Sequence, residues 1–371
     1  MRNCVLTMLV LSAVPAAACG PSHGLRVEPG VTQPAPDRAG GTTADIHVVS
    51  GTTVAGLPVA LASNGRTIFA TVIGLAGLGV QAIDPRTSQA RGVVLTGYLS
   101  NVPASITTTP ETLWVLAPLQ DRSELIHIDT RKPRIMQTVQ TAGARLGIYS
   151  FDRRPLVLPR DTWLVGTTPF AVWLVSHTTT GYTLWRRDVQ TWELSHFALS
   201  TDDVPGVVIT ARHVFVFLRS GHEGTVRIQT RDTDGAIVAT SPPLRIEGFQ
   251  PKPLRGCGNQ IFGWTSGPRG VGIFGIEPTG GRLRYSKLLP PSAFYPSGVS
   301  KTGVNGIVLS EHCRTVWAAT SSDDIGVVSR LRASSLTLTG QVDTSPIRAL
   351  LWSDGSLWGT SVDHAAIMRI R

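Results

Sequence analysis

The feature that most constrains this chain is a phrase that returns seven times. An aliphatic residue stands directly before a Trp or Phe at Ile68-Phe69, Leu113-Trp114, Val172-Trp173, Val214-Phe215, Ile261-Phe262, Val316-Trp317 and Leu357-Trp358. Successive aromatics are 45, 59, 42, 47, 55 and 41 positions apart. Each pair is followed, 12 to 14 residues after the aromatic, by an apolar residue closing a second run: Ile83, Ile128, Trp185, Ile228, Ile276, Leu331 and Ile370. A small or apolar run precedes each pair, as at Ala60, Ile106 and Leu350. Self-similarity at a period of roughly 20 to 50 residues points to stacked repeats.

Three short apolar runs at steady spacing, with polar turns between them, read as an antiparallel meander. A fourth strand is expected after each pair, for example over 135–139 and 336–342. Four short strands every 40 to 50 residues or so form the blade of a β-propeller. Blades stack face to face, which explains near-continuous apolar runs where a half-exposed strand would alternate. The fold class expected is all-β: a seven-bladed propeller of four-stranded antiparallel blades. The last unit runs through 347–351, 356–360 and 366–370 and has no fourth strand. Residues 46–49, Ile-His-Val-Val, form an otherwise unpaired strand ahead of the first complete unit. Pairing the two closes the last blade with an N-terminal strand and hides an edge. The competing architectures are a β-sandwich or two smaller β domains.

Two phrases carry a family likeness. Ser356-Leu357-Trp358-Gly359-Thr360 leads into Ile367-Met368-Arg369-Ile370, and Leu113-Trp114-Val115 leads into Ile126-His127-Ile128-Asp129. They resemble the bacterial YVTN/streptogramin-lyase-like seven-bladed propeller superfamily, in which a Leu-Trp-Val strand precedes one ending in an aliphatic residue and Asp. The likeness covers about 45–371. Thr183-Leu184-Trp185-Arg186 and Val226-Arg227-Ile228 depart from it by lacking the Asp. The resemblance implies the fold; such folds host unrelated activities.

Residues 1–19 read as a targeting segment. Arg2 is a short basic region, 5–14 are mostly apolar, and Ala16-Ala17-Ala18 precedes Cys19. The apolar run is too short to span a bilayer and reads as a cleaved signal peptide. Small residues before Cys19-Gly20 resemble a bacterial lipobox, with Ala16 where Leu is usual. Cys19 is therefore the expected lipidation site; ordinary cleavage after Ala18 and an unprocessed N-terminus are the alternatives. Residues 20–43, rich in Pro, Gly, Ser and Thr, suit a flexible tether, and 44–371 the propeller.

With Cys4 removed and Cys19 lipidated, Cys257 and Cys313 remain. They stand five and four residues ahead of Phe262 and Trp317, in matching turns of blades five and six. An exported chain meets an oxidising compartment, so a Cys257–Cys313 disulfide is expected. The alternative is two buried thiols pointing apart. A metal site is not expected, since only Glu311 and His312 lie near and no C-x-x-C occurs.

No G-x-S-x-G, H-E-x-x-H or phosphate-binding loop is present. His222-Glu223 shares a face with His177, yet matches no lyase motif at these positions and reads as solvated loop. Formal net charge is +9, with basic groups scattered. Outside the cell this suits anionic headgroups or wall polymers; nucleic acid binding has no motif and the wrong compartment.

Two insertions interrupt the spacing, at 142–161 and 291–302. Read as blade-to-blade connections, they place Tyr149, Phe151, Arg153, Arg154, Phe294 and Tyr295 on one face. Exposed aromatics with Arg are typical of binding hot spots; packing against blade edges is the bland alternative. The reading that follows is a monomeric, lipid-anchored binding or scaffolding module on the outer face of the cytoplasmic membrane, or otherwise secreted. Its partner would be an envelope protein or a cell-wall or glycan ligand, and no cofactor is expected. The alternatives are a lyase- or hydrolase-type enzyme sited on the insertion-bearing face, and a structural envelope component.

Overall fold

The computed structural model describes residues 46–371 apart from 75–76, 96–103, 131–134, 142–143, 150–154, 200–202, 220–223, 268–269, 279–281, 288–302, 322–325 and 362–363. The targeting segment, Cys19 and the tether lie outside the described residues.

Seven sheets, each with an antiparallel meander, form the blades of a propeller. Their inner strands are Leu57–Ser63, Ser105–Thr108, Asp161–Thr167, Gly206–Ile209, Phe249–Cys257, Gly303–Leu309 and Ile347–Ser353. Each aliphatic-aromatic pair sits on the second strand of its blade. Successive side chains on a strand point to opposite faces, so the two members of a pair enter different cores. Seven hydrophobic clusters result, each filling the wedge between two adjacent blades. The aliphatic member faces the preceding blade and the aromatic the following one. Leu113 packs between blades one and two, Trp114 between two and three. Val316 packs between five and six, Trp317 between six and seven. Trp114, Trp173, Trp358, Phe215 and Phe262 are among the largest fully buried side chains. The periodic aromatic is thus the wedge filler of the ring.

The ring closes as the unpaired strand requires. Val48–Thr53 pairs antiparallel with Ala366–Ile370, from Val48 opposite Ile370 to Thr53 opposite Ala366, with one register shift between Val48 and Ser50. His47 and Arg371 exchange both backbone hydrogen bonds, at 3.0 and 3.1 Å. The strand begins two residues later than the sequence reading placed it. Thr52 ties it to the first blade by donating to the Ser88 carbonyl at 2.6 Å.

The second blade differs from expectation. Its fourth strand is Leu156–Pro159, paired with Arg122–Asp129. Ile135–Thr141 and Ala144–Tyr149 instead form a hairpin whose second strand runs parallel to Ala90–Leu95, the outer strand of blade one. The stretch read as a connection between blades two and three is therefore an insertion between the third and fourth strands of blade two. Both segments have strand-forming composition, and proximity in sequence favoured the wrong one.

Cys257 ends the inner strand of blade five and Cys313 lies in the short 3-10 turn Glu311–Cys313 of blade six. They form a disulfide with Cα atoms 6.2 Å apart. It bridges two blades already joined by the Phe262 and Leu331 core.

Candidate functional site

All seven inner strands run in the same direction and converge on the axis. Small residues on them, Ala62, Gly166 and Gly306 among these, leave an axial cavity of about 460 Å³ lined by every blade. Hydroxyl groups of three successive blades, Ser63, Thr108 and Thr167 among them, belt part of its wall. Ser63 and Ser353 hydroxyls lie 2.8 Å apart. Thr108 donates to the Ser63 carbonyl at 2.6 Å, and Thr167 to the Thr108 carbonyl at 2.8 Å. Among the described lining residues the only charged ones are Arg255 and Arg348; there is no Asp, Glu or His.

Five inner strands carry register shifts, including those at Gln250/Arg255 and Ile347/Leu350. A bulge leaves residues outside the ladder and re-aims their side chains. Lys252 and Arg348 stand within two of these irregular stretches. Arg255 keeps accessible surface toward the channel, although protein surrounds it closely enough that burial pushes its pKa down. Its guanidinium donates to the carbonyl of its neighbour Leu254 at 3.0 Å.

The inner strands start at the face that also holds the second-to-third turns and the blade connections. Toward this mouth, the Lys252 ammonium of blade five lies 3.3 Å from the Trp163 ring centroid of blade three. The Lys252 carbonyl accepts from Trp264 Nε1 at 2.6 Å. Burial pushes the Lys252 amine down to about 8. Tyr182 packs against both Trp163, at 6.0 Å between centroids, and His177, at 4.5 Å. Burial first, then the carboxylates of Asp203 and Asp161, raises the Tyr182 phenol. His177 stands opposite Asp161 across the first two strands of blade three.

Of the residues singled out in the sequence, Tyr149 ends the second strand of the inserted hairpin, opposite Ile135. Phe151, Arg153, Arg154, Phe294 and Tyr295 lie outside the described residues, as do His222 and Glu223. Trp163, Lys252, Arg255 and Arg348 went unremarked in the sequence. The available signal was local: Lys252-Pro253-Leu254-Arg255 places two cations in one inner strand, and Ile347-Arg348-Ala349 places a third in another. Among the described residues no three His, Cys, Asp or Glu side chains converge in a metal-binding group.

No family model matches the chain, and no curated protein matches it. Solved structures do. Hydrazine synthase from Kuenenia stuttgartiensis superposes with a TM-score of 0.59 at 14% identity, over 86% of this chain and 97% of that one. The β-propeller domain of Myceliophteria thermophila Cps50 (Swd1) superposes with a TM-score of 0.58 at 11% identity, over 88% and 99%. Identities this low carry the architecture alone, and with the seven observed sheets they make this chain a seven-bladed β-propeller whose last blade is closed by an N-terminal strand.

Proposed function

We propose that the protein is an exported, lipid-anchored propeller of the YVTN/streptogramin-lyase-like kind, acting as a monomeric, non-enzymatic binding or scaffolding module at the cell envelope. The observation that carries this reading is strand polarity. The closing strand Val48–Thr53 runs antiparallel to Ala366–Ile370, so it starts on the face of the first-to-second turns. Strand Arg282–Lys287 ends, and strand Gly303–Leu309 begins, on the opposite face, where the inner strands start. A tether lipidated at Cys19 would therefore hold the ring by one face and leave the other open. The Cys257–Cys313 bridge suits an oxidising compartment. Trp163 and Lys252 add an aromatic ring and a cation at the open face's axial mouth, and Trp is among the residues favoured in binding hot spots. An envelope protein or a wall glycan is the partner this face suits.

The test is cross-linking mass spectrometry on the tethered protein in its native membrane. It is run beside a variant with Arg153, Arg154, Phe294 and Tyr295 replaced by Ala, and beside Cys19→Ala. The expected result is a reproducible partner lost in the first variant and release of the protein from the membrane in the second. Partner capture unchanged by the four-fold variant would remove the binding face, and membrane retention of Cys19→Ala would remove the anchor.

A further inference from the structure

We propose that the axial channel is a binding site for a small phosphorylated molecule, held by the guanidinium groups of Arg255 and Arg348. The proposal goes beyond the partner-binding reading and stands whether or not the open face captures a protein.

The first argument is charge without compensation. Arg255 and Arg348 project from inner strands of blades five and seven into one cavity of about 460 Å³. That volume falls in the range of small-molecule sites. Neither side chain makes an ion pair with a described residue, and no acidic side chain is among the described lining residues. A guanidinium facing a channel wall that offers no anion has channel solvent and, for Arg255, one carbonyl neighbour as its only partners. Burial already disfavours the charge of Arg255. An anionic ligand would supply what the wall lacks.

The second argument is placement. Arg255 pairs with Phe262, the level occupied in blade seven by Leu351 opposite Trp358. Arg348 lies in the bulge between Ile347, opposite Ser361, and Leu350, opposite Gly359. The two backbone levels thus differ by about two residues, or roughly 7 Å along the axis at strand rise. Side chains as long as Arg span that offset, so both forks can reach one ligand bearing several anionic oxygens. The planar fork matches phosphate and carboxylate oxygens two at a time. Ser105 and Thr107 on the inner strand of blade two add hydroxyl groups to the same wall. Bulges recur next to functional sites because they re-aim a side chain without disturbing the ladder beyond them.

Isothermal titration calorimetry of the mature protein with inorganic pyrophosphate tests this. The expected result is saturable binding near one equivalent, weakened by salt. Arg255→Gln and Arg348→Gln should each lose about tenfold or more in affinity, as for a charge-assisted hydrogen-bond pair, while Arg66→Gln on an exposed turn matches the unmodified protein. Should a Gln variant fail to fold, Arg348→Lys serves in its place. It keeps the charge but not the fork, and a measurable loss of affinity is again expected. Absence of saturable binding, channel variants that bind like the unmodified protein, or an equal loss in Arg66→Gln would each overturn the assignment.

Discussion

Leu357 and Trp358 are consecutive residues on one strand, yet they belong to different hydrophobic cores. Leu357 packs with Val308 and Trp317 between blades six and seven. Trp358 packs with Ile68 and Ile83 between blades seven and one. Both are fully buried. Their independence is testable. Leu357→Ala should cost about 2–5 kcal/mol and Trp358→Ala about 3–5 kcal/mol. The milder pair Leu357→Val and Trp358→Phe should be additive within about 0.5 kcal/mol, because the side chains share no partner across the sheet. A double-mutant cycle by denaturant unfolding that returns a coupling well above this would mean the two cores are one.

The same relationship explains how much of the fold was legible in the sequence. A residue that must fill a wedge between blades recurs once per blade, so Trp or Phe marks each second strand. Closure was legible because the strand opened by Ile46 had no unit of its own and the strand ending at Ile370 had no fourth strand beside it. The fourth strand of blade two was not legible. Ile135–Thr141 and Leu156–Pro159 both have strand composition, and a parallel pairing to Ala90–Leu95 is a non-local choice that pattern alone does not encode. The cations of the channel were hidden for a related reason. Lys252 and Arg348 stand at register shifts, where alternation no longer tells which way a side chain points. The disulfide was legible because similar offsets from Phe262 and Trp317, five and four residues, put both cysteines in matching turns.

Removing that disulfide should weaken the ring without dissolving it. Cys257 and Cys313 are 56 residues apart in sequence, and closing such a loop is worth on the order of 4 kcal/mol by chain entropy alone. The blades it joins keep the core built on Phe262, Val316 and Leu331. The Cys257→Ser, Cys313→Ser double variant should therefore remain folded, with a lower Tm than the oxidised protein. Reduction of the parent protein should reproduce that Tm, as read by circular dichroism with and without a thiol reductant. An unchanged Tm on both routes would show that the bridge adds nothing to the stability of the ring.

The closing strand is a second point of leverage. Thr52 is buried, pairs with Ile367 and donates to the Ser88 carbonyl. Thr52→Pro removes the backbone donor and the hydroxyl together and leaves acceptors unmatched at roughly 1–3 kcal/mol each. It also loosens the cover over the edge of Ala366–Ile370, and an open edge invites pairing with another chain. The expected outcome is a lower Tm and a concentration-dependent rise in apparent mass by light scattering. A variant that stays at the parent's mass and Tm would show that the ring does not depend on this pairing.

Lys252 should give the channel mouth a pH signature. Two effects oppose each other there. The face of the Trp163 ring, 3.3 Å away, favours the ammonium by about 0.5–2 kcal/mol. Burial disfavours it and wins, leaving the amine at about 8. The unfolded value is about 10.4, so between these limits the unfolded chain binds more protons than the folded one. This group's contribution to stability therefore rises with pH from about 8 to about 10 and is flat below. Lysine keeps exposed surface here, and solvent screening reduces the size of the rise without changing its sign. As the amine loses its proton, Trp163 loses a cation from its face. The difference in Trp emission between the parent and Lys252→Met should then titrate with a midpoint near 8. A midpoint above 10 would show that Lys252 is solvated like a free lysine and that the contact with Trp163 does not persist in solution.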